Sequence, residues 1–147
     1  MSLIIKGTWQ QNTPTNFLNK MYDFQMNNFI TCMTKKFFKF SGRASKKEYW
    51  MFFLFMMICY AIGIVLDMNF GLWDSEEAIG LFSGILILVF FIPYISLTAR
   101  RFHDINKSGW FQLIFIIPLV GLIAWVMWMS TDAVNSKNRF GKPVKYK

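Results

Sequence analysis

Residues 49–66 read YWMFFLFMMICYAIGIVL, 18 positions without a charged side chain. Two further stretches are also free of charge, namely residues 78–99 with 22 positions and residues 108–131 with 24 positions. A helix needs about 20 apolar residues to cross the hydrocarbon core of a bilayer, because each residue advances it by about 1.5 Å. The sequence therefore predicts an all-α membrane protein with three transmembrane helices.

Composition and charge favour the same class. Hydrophobic residues make up 54% of the chain and charged residues 16%, against about 25% charged residues in soluble domains. Of the 16 Lys and Arg residues, eight precede residue 49, three lie within residues 100–107 and five follow residue 131. The loop 67–77 carries only acidic charges. Basic segments beside apolar spans indicate that the partners are anionic membrane lipids rather than nucleic acid. Together with the three apolar stretches, they indicate a multi-pass protein.

Metal and cofactor chemistry finds little support in the sequence. The chain has one histidine and two cysteines, and no C-x-x-C pattern. A zinc site normally takes three or four protein ligands. We therefore expect no metal and no other cofactor, we assign no catalytic residue, and we treat enzymatic activity as the weaker alternative.

The segments outside the spans divide into three parts. Residues 1–15 are predicted to be a polar tail, residues 16–40 an amphipathic interfacial helix, and residues 132–147 a basic C-terminal tail that follows the membrane domain, 41–131. The same apolar stripe could instead pack on the protein's own spans, and the pattern leaves both readings open. The stripe consists of Tyr22, Met26, Phe29, Ile30, Met33, Phe37 and Phe40.

The joint before the first span contains local signals for a helix end and a helix start. Gly42 is suited to a left-handed conformation that ends the first helix. Ser45 and Glu48 stand three residues apart, which predicts a capping box for the next helix.

Small residues in the second span predict a packing seam. Gly80 and Gly84 form a small-xxx-small pair, which lets two helix backbones approach closely. Three single spans enclose no pore in one copy, so a homo-oligomer or a larger membrane complex is expected.

Three short motifs resemble a known family. They are FKFSGRASKKEYW at residues 38–50, TARRFHDINKSGW at residues 98–110 and NRFG at residues 138–141. In order and spacing they resemble the YhaH/YhaI-like family of small bacterial inner-membrane proteins, a domain of unknown function. The resemblance implies a bacterial cytoplasmic-membrane protein and no established activity. The family usually has Gly where Asn106 stands and often Trp where Phe111 stands, and its members usually lack the first thirty or so residues.

The motifs also supply a candidate anion site. Arg100 and Arg101 could bind the phosphate of a lipid headgroup, with His103 as a titratable donor beside Asp104. The alternative is a basic turn that orients the spans and caps the second one. Arg43 and Arg139 belong to the hypothetical site if they lie on the same side of the membrane, and are separate interfacial residues if they do not.

The number of spans decides whether Arg139 lies on the same side of the membrane as Arg43, Arg100 and Arg101. Three full spans with the N-terminus inside place eleven basic residues in the cytoplasm and five outside, so the C-terminal tail is predicted to lie outside. Alternatively, the third segment could dip into the membrane and return at Pro118 and Gly121, which would keep the tail inside.

The predicted function is that of a non-enzymatic membrane module that binds anionic lipid headgroups or a protein partner. The alternative is a subunit of a small oligomeric transporter or channel. Its path would be lined by Asn69, Ser83, Ser96 and Gln112, although no span contains a charge that would couple ions or protons.

Overall fold

The computed structural model describes residues 14–74, residue 76 and residues 79–144. The predicted N-terminal tail therefore lies almost entirely outside the described residues, and so does the end of the C-terminal tail. Within the described part the protein is mostly helical, with one short two-stranded sheet.

Two long antiparallel helices form the centre of the fold. Helix α2 spans Lys46–Asn69 and helix α3 spans Leu81–Asp104, each with 24 residues or about 36 Å of length. They are the two helices of the described residues that are long and apolar enough to cross a membrane. Strands β1, Trp73–Asp74, and β2, Ile79–Gly80, connect them by antiparallel pairing. The first two predicted spans are therefore present as helices.

The third predicted span is not one helix. A 3₁₀ helix covers Gly109–Ile116, and helix α4 covers Pro118–Ser130. Between them the backbone at Ile117 is extended, because the residue before a proline disfavours the helical region. The 13 residues of α4 measure only about 20 Å, too short for a complete span. The predicted third span over residues 108–131 is therefore not confirmed, because the described residues contain two membrane-length helices and this shorter one.

The two short helices fold back on each other as a hairpin. A Cβ on Gly121 would lie 2.7 Å from Phe115 Cα, so the arms touch just past the bend. Phe102, near the end of α3, contacts both arms, with ring centroids 5.8 Å from Phe115 and 5.4 Å from Trp128. The hairpin thus begins and ends at the same end of the helix pair.

Helix α1 covers Pro14–Met33, so the predicted helix over residues 16–40 ends seven residues too late. Its Phe29 ring lies 5.5 Å from that of Phe52 and 4.1 Å from that of Phe55, both on α2. At least this part of the apolar stripe packs on the protein's own spans. The interfacial location of the helix stays a prediction.

The joint between α1 and α2 follows the local signals in part. Gly42 has a φ of 90°, as expected for a left-handed glycine, although α1 has already ended before it. Ser45 is the N-cap of α2 and accepts a hydrogen bond from Glu48 N–H at 3.1 Å. The Glu48 carboxylate points elsewhere, so only half of the predicted capping box forms.

Glycine also decides how α2 and α3 approach each other. A Cβ on Gly63 would meet Ser83 Cα at 3.4 Å, which marks a close contact of the two helices. Gly80 is the N-cap of α3, whereas a Cβ on Gly84 would meet no atom of the described residues within 4 Å. A seam through Gly80 and Gly84 between two copies stays a prediction.

Candidate functional site

Asp104 is the centre of a buried ion cluster where α3 ends. Its Oδ1 accepts from Arg43 Nε at 2.8 Å, and its Oδ2 accepts from Arg101 at 2.7 Å. The three side chains are at most 1% exposed. One carboxylate therefore balances two guanidinium groups away from solvent, an arrangement that is stable only when every partner is present.

The backbone around Arg43 determines where its side chain points. The left-handed Gly42 turns the chain, and Ala44 N–H then donates to the carbonyl of Arg100 at 3.0 Å. Ala44 itself is fully buried. This contact places Arg43 directly beside the last turn of α3, within reach of Asp104.

Other guanidinium N–H groups of Arg43 and Arg101 bind the end of α4 and the chain that follows it. Arg43 donates to the carbonyl of Ser136 at 3.0 Å and also to that of Val134. Arg101 donates to the carbonyl of Met129 at 3.3 Å. The carbonyls at a helix C-terminus lack intrahelical partners, so Arg101 caps the end of α4 while Arg43 holds the segment after it.

The third motif docks on the second. Asn138 donates to the carbonyl of His103 at 2.8 Å, and the Phe140 ring stacks on the His103 ring with centroids 3.8 Å apart. His103 Nδ1 donates in turn to the carbonyl of Gly42 at 3.1 Å. The three motifs, far apart in the sequence, therefore form one cluster, which we call the motif cluster.

The structure differs here from the predicted topology. The sequence places the C-terminal tail at the opposite end of the spans from the first two motifs. Instead, Val134 N–H donates to the carbonyl of Asp104 at 3.1 Å, and Lys46 pairs with Asp132 at 2.9 Å. The tail lies at the same end as the first two motifs because the third segment returns as a hairpin.

Arg100 belongs to a second cluster on another face of α3. It donates to Glu48 Oε1 at 3.1 Å, and the same oxygen accepts from Lys36 at 2.9 Å and from the Cys32 thiol at 3.4 Å. Burial raises the pKa of the Cys32 thiol, and the Glu48 carboxylate raises it further. This cluster joins α1 to α2 and α3.

The six candidate anion-binding residues thus have different surroundings. Arg43, Arg101, His103 and Asp104 come together in the motif cluster, Arg100 pairs with Glu48, and Arg139 is exposed with its guanidinium 4.7 Å from the Phe140 ring. The buried arginines bind internal oxygens. Anion binding by these residues stays a prediction, and Arg139 is the arginine whose side chain is open to solvent.

Sequence reasoning missed two structural carboxylates. Glu48 appeared only as a capping residue, although it is the sole acidic residue between Asp23 and Asp67 in a strongly basic region. Asp67 appeared only as part of an acidic loop. Its buried carboxylate accepts from Phe82 N–H and Ser83 N–H, both at 2.8 Å, and so caps the start of α3.

The charges separate along the helix pair. We call the end that holds the motif cluster the basic end, and the end that holds Asp67, Asp74 and Glu76 the acidic end. The exposed basic residues at or near the basic end are Lys35, Lys39, Lys47, Lys137, Arg139 and Lys142.

Among the described residues, no group of three or more His, Cys, Asp or Glu could hold a metal ion.

Two membrane-length helices with large apolar side chains exposed along them point to a class, the small multi-pass membrane proteins. The chain belongs to the family described as "Protein of unknown function (DUF805)", whose model matches residues 37–142 and thus all three motifs. It is similar to two proteins of Escherichia coli (strain K12). These are Inner membrane protein YhaI, 35% identical over 112 residues, and Inner membrane protein YhaH, 33% identical over 111 residues.

Each alignment covers 76% of this chain and 91% of the relative. The predicted family and the location in the bacterial inner membrane are therefore confirmed. No solved structure matches the chain.

Proposed function

We propose that the protein crosses the inner membrane twice, through α2 and α3, and that the hairpin of residues 109–130 enters the membrane from the basic end and returns to it. The contacts of Arg43 and Arg101 with the chain after α4 support this topology. Three full spans would place the five basic residues of the tail outside and the other eleven inside, against the positive-inside rule. With the tail at the basic end, all sixteen lie on one side, as the rule predicts. The basic end then faces the cytoplasm.

The function proposed for this end is non-enzymatic binding of anionic lipid headgroups. The observation that carries it is the separation of charge, with six exposed basic side chains near one end and the acidic loop at the other. Clustered Lys and Arg beside a span attract anionic lipids by about 1 kcal/mol per residue. The buried arginines act indirectly, since they hold the tail and its exposed Lys137, Arg139 and Lys142 against this face.

The transport alternative has no observation in its favour. Ser83 hydroxyl donates to the carbonyl of Gly80, Ser96 donates to the carbonyl of Lys39, and Asn69 donates to the carbonyl of Val65. Three of the four candidates for a path between copies, all except Gln112, are therefore engaged in bonds within one chain.

A reporter fused after Lys147 tests the topology. A reporter that is active only in the cytoplasm is expected to give signal, and one that requires the periplasm is expected to be silent. A second fusion within the loop at residue 76 is expected to show the reverse. Periplasmic signal from the C-terminal fusion would contradict the hairpin topology.

Lipid preference tests the binding function. Protein reconstituted in nanodiscs of mixed lipids is expected to retain anionic lipids preferentially, less so as ionic strength rises. The triple variant Lys137→Gln, Arg139→Gln, Lys142→Gln is expected to reduce this preference. The matched control Lys137→Arg, Arg139→Lys, Lys142→Arg keeps the charge and is expected to retain it. Equal lipid composition around all three proteins, at low and at high salt, would contradict the proposal.

A further inference from the structure

The segment TKKFFKFS, residues 34–41, links α1 to α2 and exposes large apolar side chains outside any span. Phe38 is 72% exposed and Phe40 is 44% exposed. The flanking residues Lys35 and Lys39 are also exposed. We call residues 34–41 the aromatic–basic loop.

A hydrogen bond from α3 places this loop at a definite level along the spans. The Ser96 hydroxyl lies 3.2 Å from the carbonyl oxygen of Lys36 and 2.7 Å from that of Lys39. Ser96 is two residues from Tyr94, or about 3 Å along the helix axis. The loop backbone is therefore held close to the level of Tyr94.

That level corresponds to the edge of the apolar region. The Tyr94 hydroxyl lies 3.0 Å from that of Tyr49, and Trp125 Nε1 donates to the Tyr49 hydroxyl at 2.7 Å. Tyr49 is the first residue of the first charge-free stretch. Tyr and Trp gather at the boundary between hydrocarbon and headgroups, so the aromatic–basic loop lies at this boundary too.

The lysines of the loop divide their roles. Lys36 turns inward and pairs with Glu48 at 2.9 Å, which fixes the loop against α2. Lys35 and Lys39 flank Phe38 in the sequence and are exposed, and the Phe38 ring lies 4.8 Å from that of Phe37. An exposed apolar ring in the same short loop as two exposed cationic side chains suits a membrane interface, where acyl chains lie below the phosphates.

We infer that the aromatic–basic loop binds anionic phospholipid of the cytoplasmic leaflet, with Phe38 inserted below the headgroups and the ammonium groups of Lys35 and Lys39 on lipid phosphates. This inference rests on the proposed function for the side of the membrane. It adds a defined lipid contact that is separate from the tail.

Depth measurement tests the inference. A nitroxide is attached at Phe38→Cys in a Cys32→Ser, Cys59→Ala background, in nanodiscs that contain anionic lipid, and its collisions with oxygen and with a water-soluble nickel complex are compared. Label at Glu76→Cys, an exposed residue at the acidic end, serves as the aqueous control. The label at position 38 is expected to be protected from nickel and accessible to oxygen. Nickel access equal to that at position 76 would overturn the inference.

Charge substitution gives a second, independent measurement in the protein with native cysteines. Lys35→Gln, Lys39→Gln is expected to lower retention of anionic lipid by roughly fivefold for each lysine removed, whereas Lys35→Arg, Lys39→Arg is expected to retain it. No change in the Gln variant would overturn the inference. Dipolar coupling between nitroxides at position 38 of two protein molecules would also overturn it, because the loop would then contact a second copy of the chain instead of lipid. Loss of preference in the tail variant alone would leave the proposed function standing without this loop.

Discussion

Each end of the helix pair has a buried aspartate that joins neighbouring segments, Asp67 at the acidic end and Asp104 at the basic end. The two carboxylates bind different partners. At the acidic end, Asp67 accepts from two backbone N–H groups at the start of α3, only 15 and 16 residues away. At the basic end, Asp104 accepts from Arg43, 61 residues away, and from Arg101 in the preceding turn. The acidic end is therefore a local helix cap, whereas the basic end depends on segments that are distant in the sequence.

This difference has a consequence for stability. A backbone N–H group at a helix start carries only a partial charge. If it loses its hydrogen-bond acceptor, the free energy of unfolding therefore falls by a limited amount. A guanidinium group buried without its carboxylate is a full charge out of water. The basic end should therefore be the more sensitive of the two to a single substitution, and its failure should release the tail.

The Asp104→Asn variant is expected to have the largest effect. It removes the negative charge shared by Arg43 and Arg101 and should lower the free energy of unfolding by about 3–5 kcal/mol. The measurement is thermal unfolding in detergent, followed by tryptophan fluorescence. Asp132→Asn is the control, because Asp132 is 95% exposed in its pair with Lys46. A melting shift no larger than that of the control would contradict the central role of Asp104.

The Gly80→Ala variant tests the acidic end. An added Cβ would overlap the Asp67 carboxylate, which must then move away from the N–H groups that it caps. We expect a loss of about 1–3 kcal/mol, the usual cost of overpacking. Gly84→Ala, one helical turn further along, meets no described atom within 4 Å and should be neutral or stabilising, since Ala favours helix over Gly by about 1 kcal/mol. Equal effects of the two substitutions would show that Asp67 does not confine Gly80.

The Phe140→Leu variant should affect the tail more than the spans. It removes the stack on His103 and should cost about 0.5–1.5 kcal/mol. Amide hydrogen exchange is expected to increase in residues 132–144 and to stay unchanged in α2 and α3. Lys142→Gln, an exposed substitution in the same segment, is the control. Unchanged protection of the tail would indicate that the arginine contacts alone hold it.

The Lys46–Asp132 pair should give the smallest effect. The hydrogen bond and charge of Lys46 hold the pKa of Asp132 below its ordinary 3.8. A carboxyl group with a lowered pKa stabilises the fold above its ordinary pKa and loses this contribution as pH falls through the lowered one. The melting temperature of Asp132→Asn is therefore expected to lie slightly below that of the unchanged protein at neutral pH, and the gap should close on acidification below 3.8. A gap that widened on acidification would contradict the pairing.

Local features of the fold could be predicted from the sequence. The first two spans, the left-handed Gly42 and the Ser45 N-cap depend on hydropathy, backbone freedom and capping within a few residues. The end of α1 was predicted poorly, because the apolar stripe continues with helical spacing into residues 34–41, where the hydroxyl of Ser96 binds backbone carbonyls instead.

The candidate site was predicted less completely. The three motifs were identified and their possible convergence was stated, but the partners of their arginines were not. Carbonyl groups such as those of Val134 and Ser136 carry no side-chain signature, so nothing in the sequence indicates that Arg43 binds them. The prediction of three full spans likewise placed the tail at the opposite end of the spans, although the alternative of a third segment that returns at Pro118 and Gly121 keeps the tail at the same end as the first two motifs.

The sequence by itself determined that this is a bacterial inner-membrane protein of one family, with two long apolar helices and basic segments around them. The lengths of the apolar stretches and the distribution of charge are enough for this conclusion, because the bilayer requires both and both can be read directly from the sequence. Only the tertiary structure decided that the third apolar segment turns back at Ile117 and brings the tail to Arg43 and Arg101. Buried guanidinium groups need hydrogen-bond acceptors and a counter-charge, and these surround them only once distant parts of the chain have come together.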